Sequence, residues 1–205
     1  MEDFIKNIGC IILAAGQGTR FGKQKQFVEF NGKTLWKHIY DKACMLIKKE
    51  NIVVVGVDIP GGNTRSKSVI CGLNKLKEIG GIERVIILEA ARPLVSMDQL
   101  KEIINDNHES TTFVLPLVNT IIKKDGTYCN REDYYSMTTP VGFDFNLLYE
   151  AYSSNKFLDL TDDTRVMYEY FGIKPYFIEG AENLVKVTYS SDIYVLETLS
   201  KKYNC

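Results

Sequence analysis

The chain has 205 residues, of which 45% are hydrophobic and 25% are charged, and these values are typical of one globular domain rather than of a disordered or fibrous protein. Its 25 basic and 26 acidic side chains leave a net charge of -1, so the basic excess typical of a nucleic-acid or membrane-surface partner is missing. The five cysteines include no C-x-x-C pair, and the apolar run near the amino terminus is too short for a signal peptide or a membrane span, so we expect reduced thiols and a cytoplasmic protein.

Apolar runs rich in valine and isoleucine alternate along the chain with stretches of helical periodicity. The predicted strands cover residues 10–14, 52–57, 85–88, 112–115 and 176–178. The predicted helices cover residues 35–49, 69–76, 100–104, 145–152, 162–170 and 191–199, and Ser96 with Gln99 forms a capping-box pattern ahead of the third. This alternation predicts an α/β fold, with a mostly parallel sheet that is flanked by helices on both faces.

A glycine-rich loop, LAAGQGTRFGKQKQF, follows the first predicted strand. Its small and basic residues are Ala14, Ala15, Gly16, Gly18, Arg20, Gly22 and Lys25. The glycine spacing, G-x-G-x-x-x-G, is one residue longer than the dinucleotide-binding fingerprint. Small residues let backbone N–H groups face phosphate oxygens, and the basic residues bring compensating charge, so the loop predicts a phosphate site.

The second apolar run ends in PGGNTRSKSVICGL. Gly61 and Gly62 free the backbone there, and either Ser66 or Ser68 is expected to cap the helix that follows. A planar base could lie against such a glycine ledge and be recognised by backbone groups and by Asn63. Taken alone, the glycine pair is a weak signal, since most Gly-Gly pairs are ordinary turns.

The third apolar run ends in LEAARP, which places Glu89 where a buried strand meets the ligand crevice of an open sheet and Arg92 three residues later. A carboxylate beside phosphate-binding basic residues commonly holds magnesium or a substrate hydroxyl. A structural ion pair is the alternative.

The region 119–138 does not follow the alternation of apolar runs and helical stretches. Its sequence predicts a β-arm of two short polar strands around an Asp125-Gly126 turn. Further on, TDDTR predicts a helix start capped by Thr161. The segment NLVKVTYSSD places Lys186 in a β-rich stretch before a helix that begins at Ser190 or Ser191, where a surface lysine on an edge strand is the alternative.

Seven motifs, taken in order, resemble the 2-C-methyl-D-erythritol 4-phosphate cytidylyltransferases and the related ribitol 5-phosphate cytidylyltransferases. They are AAGQGTRFGKQKQF, GGNTRSKSVICGL, LEAARPLV, NTIIK, TTPVGF, LTDD and LVKVTYSSD. The resemblance spans residues 11–199. It implies a Rossmann-like nucleotidyltransferase fold with a protruding β-arm that usually builds a homodimer. It also implies CTP and a small alcohol phosphate as substrates, Mg²⁺ as cofactor, and neither a nucleic acid nor a membrane as partner.

The resemblance assigns roles to individual residues. Those implied to bind the nucleotide are Ala14, Ala15, Gly16, Gly18, Gly61, Gly62, Asn63 and Ser68. Those implied to act on the reacting phosphates are Arg20, Lys25 and Lys186. Those implied to bind the acceptor are Glu89, Arg92, Thr120, Arg131 and Thr139, with Glu89 also as the metal ligand.

Departures from the family pattern lie mainly on the acceptor side. LEAARP stands where the family usually has HDAARP, NTIIK where it has DTIK, and Asn183 where an acidic residue is sometimes found. The acceptor is therefore left open between 2-C-methyl-D-erythritol 4-phosphate, ribitol 5-phosphate and another phosphate used in surface-polymer synthesis.

Two other functions are compatible with parts of the sequence. A noncatalytic CTP-binding protein could keep this fold while its metal site decayed. A nicotinamide-dependent oxidoreductase would need an acidic residue about 20 residues after the glycine loop, at the end of a second strand. That stretch lies in the predicted helix 35–49, so the oxidoreductase is disfavoured. Histidine is scarce, but an acceptor phosphate is already ionised and needs no general base.

Overall fold

A six-stranded sheet forms the centre of the chain in a computed structural model that describes residues 7–203. Cys205, for which we expect a reduced thiol, and residues 1–6, which belong to the amino-terminal region where we expect no signal peptide, lie outside the described residues. The strands are β1 (Ile8–Leu13), β2 (Glu29–Phe30), β3 (Lys33–Thr34), β4 (Ile52–Val55), β5 (Arg84–Glu89), β6 (Ser110–Pro116), β7 (Ile121–Ile122), β8 (Tyr128–Cys129), β9 (Tyr135–Asp144) and β10 (Tyr176–Glu179). The sheet order is β10-β6-β9-β5-β1-β4, and β9 runs antiparallel to the other five strands.

Of the six α-helices in residues 7–203, the first five pack on the two faces of the sheet, and the sixth packs in a separate cluster with Phe30, Leu35 and Leu94. The helices are α1 (Leu35–Cys44), α2 (Arg65–Ile79), α3 (Met97–Asn105), α4 (Phe145–Ser153), α5 (Asp163–Phe171) and α6 (Asp192–Lys202). Neighbouring residues of a strand point to opposite faces. Accordingly, Ile12 packs in the cluster that contains Ile39 of α1 and Ile103 of α3, while Ile11 packs in the cluster that contains Leu73 of α2 and Leu148 of α4. The predicted α/β fold with helices on both faces is confirmed.

Two predicted helix caps are wrong by one to four residues. α2 is capped by Thr64, whose side-chain oxygen accepts a hydrogen bond from the Lys67 N–H, because the extended loop continues to that residue. Ser66 and Ser68 lie inside the helix instead. α5 is capped by Asp162 rather than by Thr161, and its carboxylate accepts from the Arg165 N–H. The capping box of Ser96 and Gln99 ahead of α3 is confirmed.

The segment that carries Lys186 is not a strand, contrary to the sequence prediction. After a 3₁₀ turn at Glu182–Leu184 the described chain forms no strand before the last helix, and the Val187 N–H donates to the Ala91 carbonyl at 2.8 Å. The Asp192 carboxylate accepts the N–H groups of Thr188 and Tyr189 and so shapes the turn before α6. These contacts hold the segment beside the residues that follow β5, away from the edge of the sheet.

The β-arm is the hairpin of β7 and β8, which leaves the sheet after β6. Residues 135–138, expected at the end of the arm, instead begin β9, where Tyr135 pairs with Pro116 of β6. Large apolar side chains of the arm are exposed, among them Val118 (77%) and Tyr128 (76%). The first predicted helix is also shorter than expected, since α1 ends at Cys44. Within residues 7–203, no helix is both long and apolar enough to cross a bilayer.

Candidate active site

A cleft of about 480 Å³ opens where β1 and β5 end, at their carboxyl ends. In an open parallel sheet this is the edge where ligands bind. The cleft is lined by Leu13, Ala14, Ala15, Gly16, Gln17, Lys25, Gln26, Gly62, Asn63, Thr64, Arg65, Ser68, Glu89, Ala90, Ala91 and Lys186. The loops after three apolar runs and the segment before α6 therefore meet at one place, as the sequence predicts.

The glycine-rich loop after β1 is held in shape by its own contacts. Gly18 has a φ of 68°, and a Cβ there would lie 1.8 Å from the Lys23 carbonyl oxygen, so only glycine fits. The amide of Gln26, which is 4% exposed, donates to the Gly16 carbonyl at 3.1 Å. Lys25 Nζ donates to the Val187 carbonyl at 2.5 Å and so connects this loop to the segment before α6.

The second loop passes very close to the first. A Cβ on Gly61 would lie 2.3 Å from the Ala15 Cβ, which explains the glycine. The Gly62 N–H donates to Ser68 Oγ at 3.2 Å, and Ser68 Oγ in turn donates to the Thr64 carbonyl at 3.0 Å. Ser68 thus closes the turn at the start of α2 and gives the cleft a wall of backbone.

Three cations surround the carboxylate of Glu89. Lys186 Nζ lies 2.6 Å from Glu89 Oε2, Arg65 Nε lies 3.4 Å from Oε1, and Arg92 Nε lies 3.8 Å from Oε2. Burial alone would raise the pKa of Glu89, but the charges of Lys186, Arg65 and Arg92 lower it to about 2. Burial and the charge of Lys186 lower the pKa of the nearby Lys25. The carboxylate is therefore ionised, and the cleft around it carries an excess of positive charge.

Glu89 is the residue best placed to hold a metal ion. Its Oε2 atom is buried and has no hydrogen bond of good geometry within residues 7–203, so ion pairs alone stabilise it. Mg²⁺ is commonly bound by one or two carboxylates together with substrate phosphates. In the described part of the chain no three acidic, histidine or cysteine side chains cluster as a closed metal site would require. The residues therefore fit a metal that arrives with a phosphate ligand.

An arginine that sequence reasoning missed forms part of the cleft wall. Arg65, the first residue of α2, makes a two-pronged ion pair with Asp163 of α5, with Nη–Oδ distances of 2.8 and 2.7 Å. The hydroxyl of Tyr152 donates to the same carboxylate at 2.5 Å. Burial opposes the charge of Arg65, but Asp163 raises the pKa of the guanidinium above its usual range. No local signal marked this pair, because its members are 98 positions apart.

The residues predicted to bind the acceptor are only partly brought together. Arg92 lies behind the cleft, where Nε donates to Thr139 Oγ1 at 3.0 Å and Nη1 donates to the Leu184 carbonyl. Thr120 and Arg131 lie on the arm, and neither is among the described residues that line the cleft. The exposed Arg20 is likewise outside that set, as are Gly18 and Gly61. One chain thus gathers most of the predicted nucleotide side but leaves the arm residues apart.

Residues 8–201 match the family of 2-C-methyl-D-erythritol 4-phosphate cytidylyltransferases, IspD. The chain belongs to this family. As a member, it is a nucleotidyltransferase of the cytidylyltransferase type, and the resemblance read from its motifs is confirmed.

Individual members of the family and their relatives differ in length. A 2-C-methyl-D-erythritol 4-phosphate cytidylyltransferase of Thermotoga neapolitana is 30% identical over 94% of this chain and 96% of its own length. A D-ribitol-5-phosphate cytidylyltransferase of Xenopus tropicalis is 29% identical over 98% of this chain and 59% of its own length. The solved bifunctional IspDF from Campylobacter jejuni gives a TM-score of 0.80 at 28% identity and covers 93% of this chain, which spans 54% of that protein. The chain therefore spans little more than half of the last two relatives.

Proposed function

We propose that this IspD-family member transfers CMP from CTP to a small alcohol phosphate and releases pyrophosphate. The observation that carries the proposal is the meeting of Lys25 and Lys186 with Glu89 at the carboxyl end of β5, in a cleft walled by the glycine-rich loop. Such a cleft suits a triphosphate, because backbone N–H groups and lysines together offset its charge.

The reaction requires positioning and charge compensation more than proton transfer. An oxygen of the acceptor phosphate attacks the α-phosphorus of CTP and forms a new P–O bond, while the bond from the α-phosphorus to the bridging oxygen breaks and pyrophosphate leaves with that electron pair. The glycine-rich loop would bind the departing phosphates, and Lys25, Lys186 and Arg20 would offset the charge that grows on them. Gly61, Gly62, Asn63 and Ser68 would hold the cytidine against the second loop.

We further propose that Mg²⁺ arrives with the nucleotide and takes Glu89 as its protein ligand. Glu89 is the one carboxylate among the described residues that line the cleft, which supports this assignment. Bound there, Mg²⁺ would neutralise charge on the CTP phosphates. The family resemblance also assigns Arg92 and Thr139 to the acceptor, whose phosphate would have to replace the hydrogen bond that these two residues make behind the cleft.

The arm completes the acceptor site in this proposal. Arg131 and Thr120 are apart from the cleft of their own chain, so a homodimer in which each arm reaches the other cleft would bring them to the acceptor phosphate. Exposed apolar residues of the arm, such as Val118 and Tyr128, support its burial against a second copy. The named relatives include enzymes for 2-C-methyl-D-erythritol 4-phosphate and for D-ribitol 5-phosphate, and both are candidate acceptors here.

The test is a pyrophosphate-release assay on the purified chain. Each of the four ribonucleoside triphosphates is combined with each candidate acceptor and with a panel of other alcohol phosphates, with Mg²⁺ and with EDTA in its place. We expect release with CTP and one of the alcohol phosphates, and loss of release with EDTA. Binding of CTP without release in any combination would show instead a noncatalytic nucleotide-binding protein.

A further inference from the structure

Asp163 is almost fully buried and pairs with a basic side chain. It is 1% exposed, and its carboxylate accepts two hydrogen bonds from Arg65 and one from the Tyr152 hydroxyl, at 2.8, 2.7 and 2.5 Å. Burying an ion pair costs the hydration of both charges, so a pair of apolar residues of similar volume would often serve stability as well. The pair therefore calls for a role beyond holding α2 against α5.

The orientation of Arg65 indicates that role. Both of its Nη atoms face Asp163, while its Nε faces Glu89 Oε1 at 3.4 Å on the cleft side. A guanidinium is planar and rigid, so fixing one edge also fixes the direction of the other. Glu89 Oε2 in turn lies 2.6 Å from Lys186 Nζ. An unbroken line of contacts thus runs from Asp163 to a lysine in the cleft.

We propose that Asp163 is a positioning residue for nucleotidyl transfer: it holds Arg65 at the wall of the cleft, and Arg65 fixes the carboxylate of Glu89 beside Lys186. This rests on the function proposed above. Without Arg65, Glu89 would keep only Lys186 and the more distant Arg92 as cationic neighbours. Its carboxylate would then be free to turn, and Lys186 would lose a fixed partner.

Other contacts hold the same two segments together, which makes the role testable. Ser66 Oγ donates to the Leu160 carbonyl, and Thr64 Oγ1 reaches the Leu158 carbonyl at 3.5 Å. The segment before α5 is thus attached to the start of α2 at two further points. Replacing the ion pair by apolar residues need not detach it.

The decisive variant is Arg65→Met/Tyr152→Phe/Asp163→Leu, which replaces the buried pair by an apolar pair and removes the Tyr152 hydroxyl that would otherwise lose its acceptor. We expect cooperative unfolding with a melting temperature within about 5 °C of the wild type. We expect kcat to fall roughly 10- to 100-fold, since reacting groups lose their alignment, with KM for CTP changed less than about threefold. A kcat within twofold of the wild type overturns the proposal, as does a change confined to KM.

The matched control is Arg165→Gln/Glu169→Gln, which removes an exposed ion pair of the same helix, with an Nε–Oε1 distance of 3.2 Å. It should leave kcat unchanged. If the apolar variant fails to fold, Arg65→Lys becomes the test, because it keeps the charge but loses the two-pronged fork. We expect kcat of R65K to fall at least fivefold in a folded protein, and a wild-type kcat there also overturns the proposal.

A separate readout distinguishes failure of this inference from failure of the proposed function. If the wild type releases no pyrophosphate with any pair of substrates, the proposed function fails, but the Arg65 Nε–H signal in ¹⁵N NMR spectra still reports its positioning. That signal should be sharp in the wild type and broadened in Asp163→Asn. An unchanged signal in D163N would show that Asp163 does not hold Arg65.

Discussion

The charged residues at the end of β5 contact one another across three separate segments of the chain, whereas Arg131 of the arm contacts the backbone of the arm itself. Lys186 reaches Glu89 at 2.6 Å, and Lys25 reaches the Val187 carbonyl at 2.5 Å. On the arm, Arg131 Nη1 donates to the Val118 carbonyl at 2.6 Å, within the same hairpin. The proposed nucleotide side is therefore arranged within one chain, whereas the proposed acceptor side would gain Thr120 and Arg131 only in the proposed dimer.

Lys186→Gln should have the largest effect on the reaction rate, because it removes a cation from the cluster around Glu89. We expect kcat to fall about 100- to 1000-fold, as for the loss of one group that stabilises transition-state charge. The steady-state rate of pyrophosphate release measures it. Lys174→Gln, at an exposed lysine, is the control. A loss smaller than tenfold in K186Q would mean that the cluster is not the reacting centre.

Glu89→Gln tests whether the cluster is already formed without ligand. The pKa of Glu89 is lowered from 4.5 to about 2, so its ionisation contributes about 3 kcal/mol to the free energy of unfolding at pH 7. A lowered pKa gives stability that is fully present above pH 4.5 and is lost as the pH falls toward 2. Urea unfolding at several pH values should show the wild type more stable than E89Q by a constant margin from pH 7 to pH 5. The margin should narrow by pH 3.5, and a margin that is already lost at pH 6 would contradict the prediction.

Arg131→Gln tests whether the arm contributes to binding of the acceptor but not to binding of CTP. We expect KM for the acceptor to rise about tenfold, as for one lost charge-assisted contact to phosphate, while the affinity for CTP stays the same. Initial rates at varied acceptor give the first value, and calorimetric titration with CTP gives the second. Lys124→Gln on the same exposed arm should change neither. An equal weakening of the binding of CTP and of the acceptor would contradict the prediction that the arm serves the acceptor alone.

Gln26→Leu should have the smallest effect, on the nucleotide side alone. Its amide donates to the Gly16 carbonyl at 3.1 Å, and one such bond contributes about 1 kcal/mol, or about a fivefold weaker affinity for CTP. Calorimetric titration measures this change. Gln24→Leu, at an exposed position in the same loop, is the comparison. A weakened affinity for the acceptor alone would contradict this assignment.

Sequence patterns predict the strands that are buried on both faces and the loops that follow them. They miss β9, because its first three residues are exposed and its buried part mixes threonine, proline and glycine with few large apolar side chains. β2 and β3 have two residues each, too few to show an alternation. Tertiary hydrogen bonds, which no periodicity records, decide the path of the segment around Lys186.

The residues of the candidate site likewise divide into those that sequence patterns predict and those that they do not. Glu89 and the glycine loops are predictable because the end of a buried strand marks the ligand edge of the sheet. Arg65 and Asp163 are not, because each already has a local explanation in a helix start and the pairing joins α2 to α5 across 98 positions. Their roles in the reaction stay predictions.

The junction between Pro116 and Tyr135 has an evolutionary consequence. Pro116 at the end of β6 pairs with Tyr135 at the start of β9, so the arm leaves and rejoins the sheet at one pair of bonded residues. The entropy of closing a loop grows slowly with its length, so such an insertion can lengthen, shrink or change its residues at small cost to the sheet. Residues 117–134, which include the proposed acceptor ligands Thr120 and Arg131, could therefore change in a lineage without disturbing the strands that position Lys25, Glu89 and Lys186.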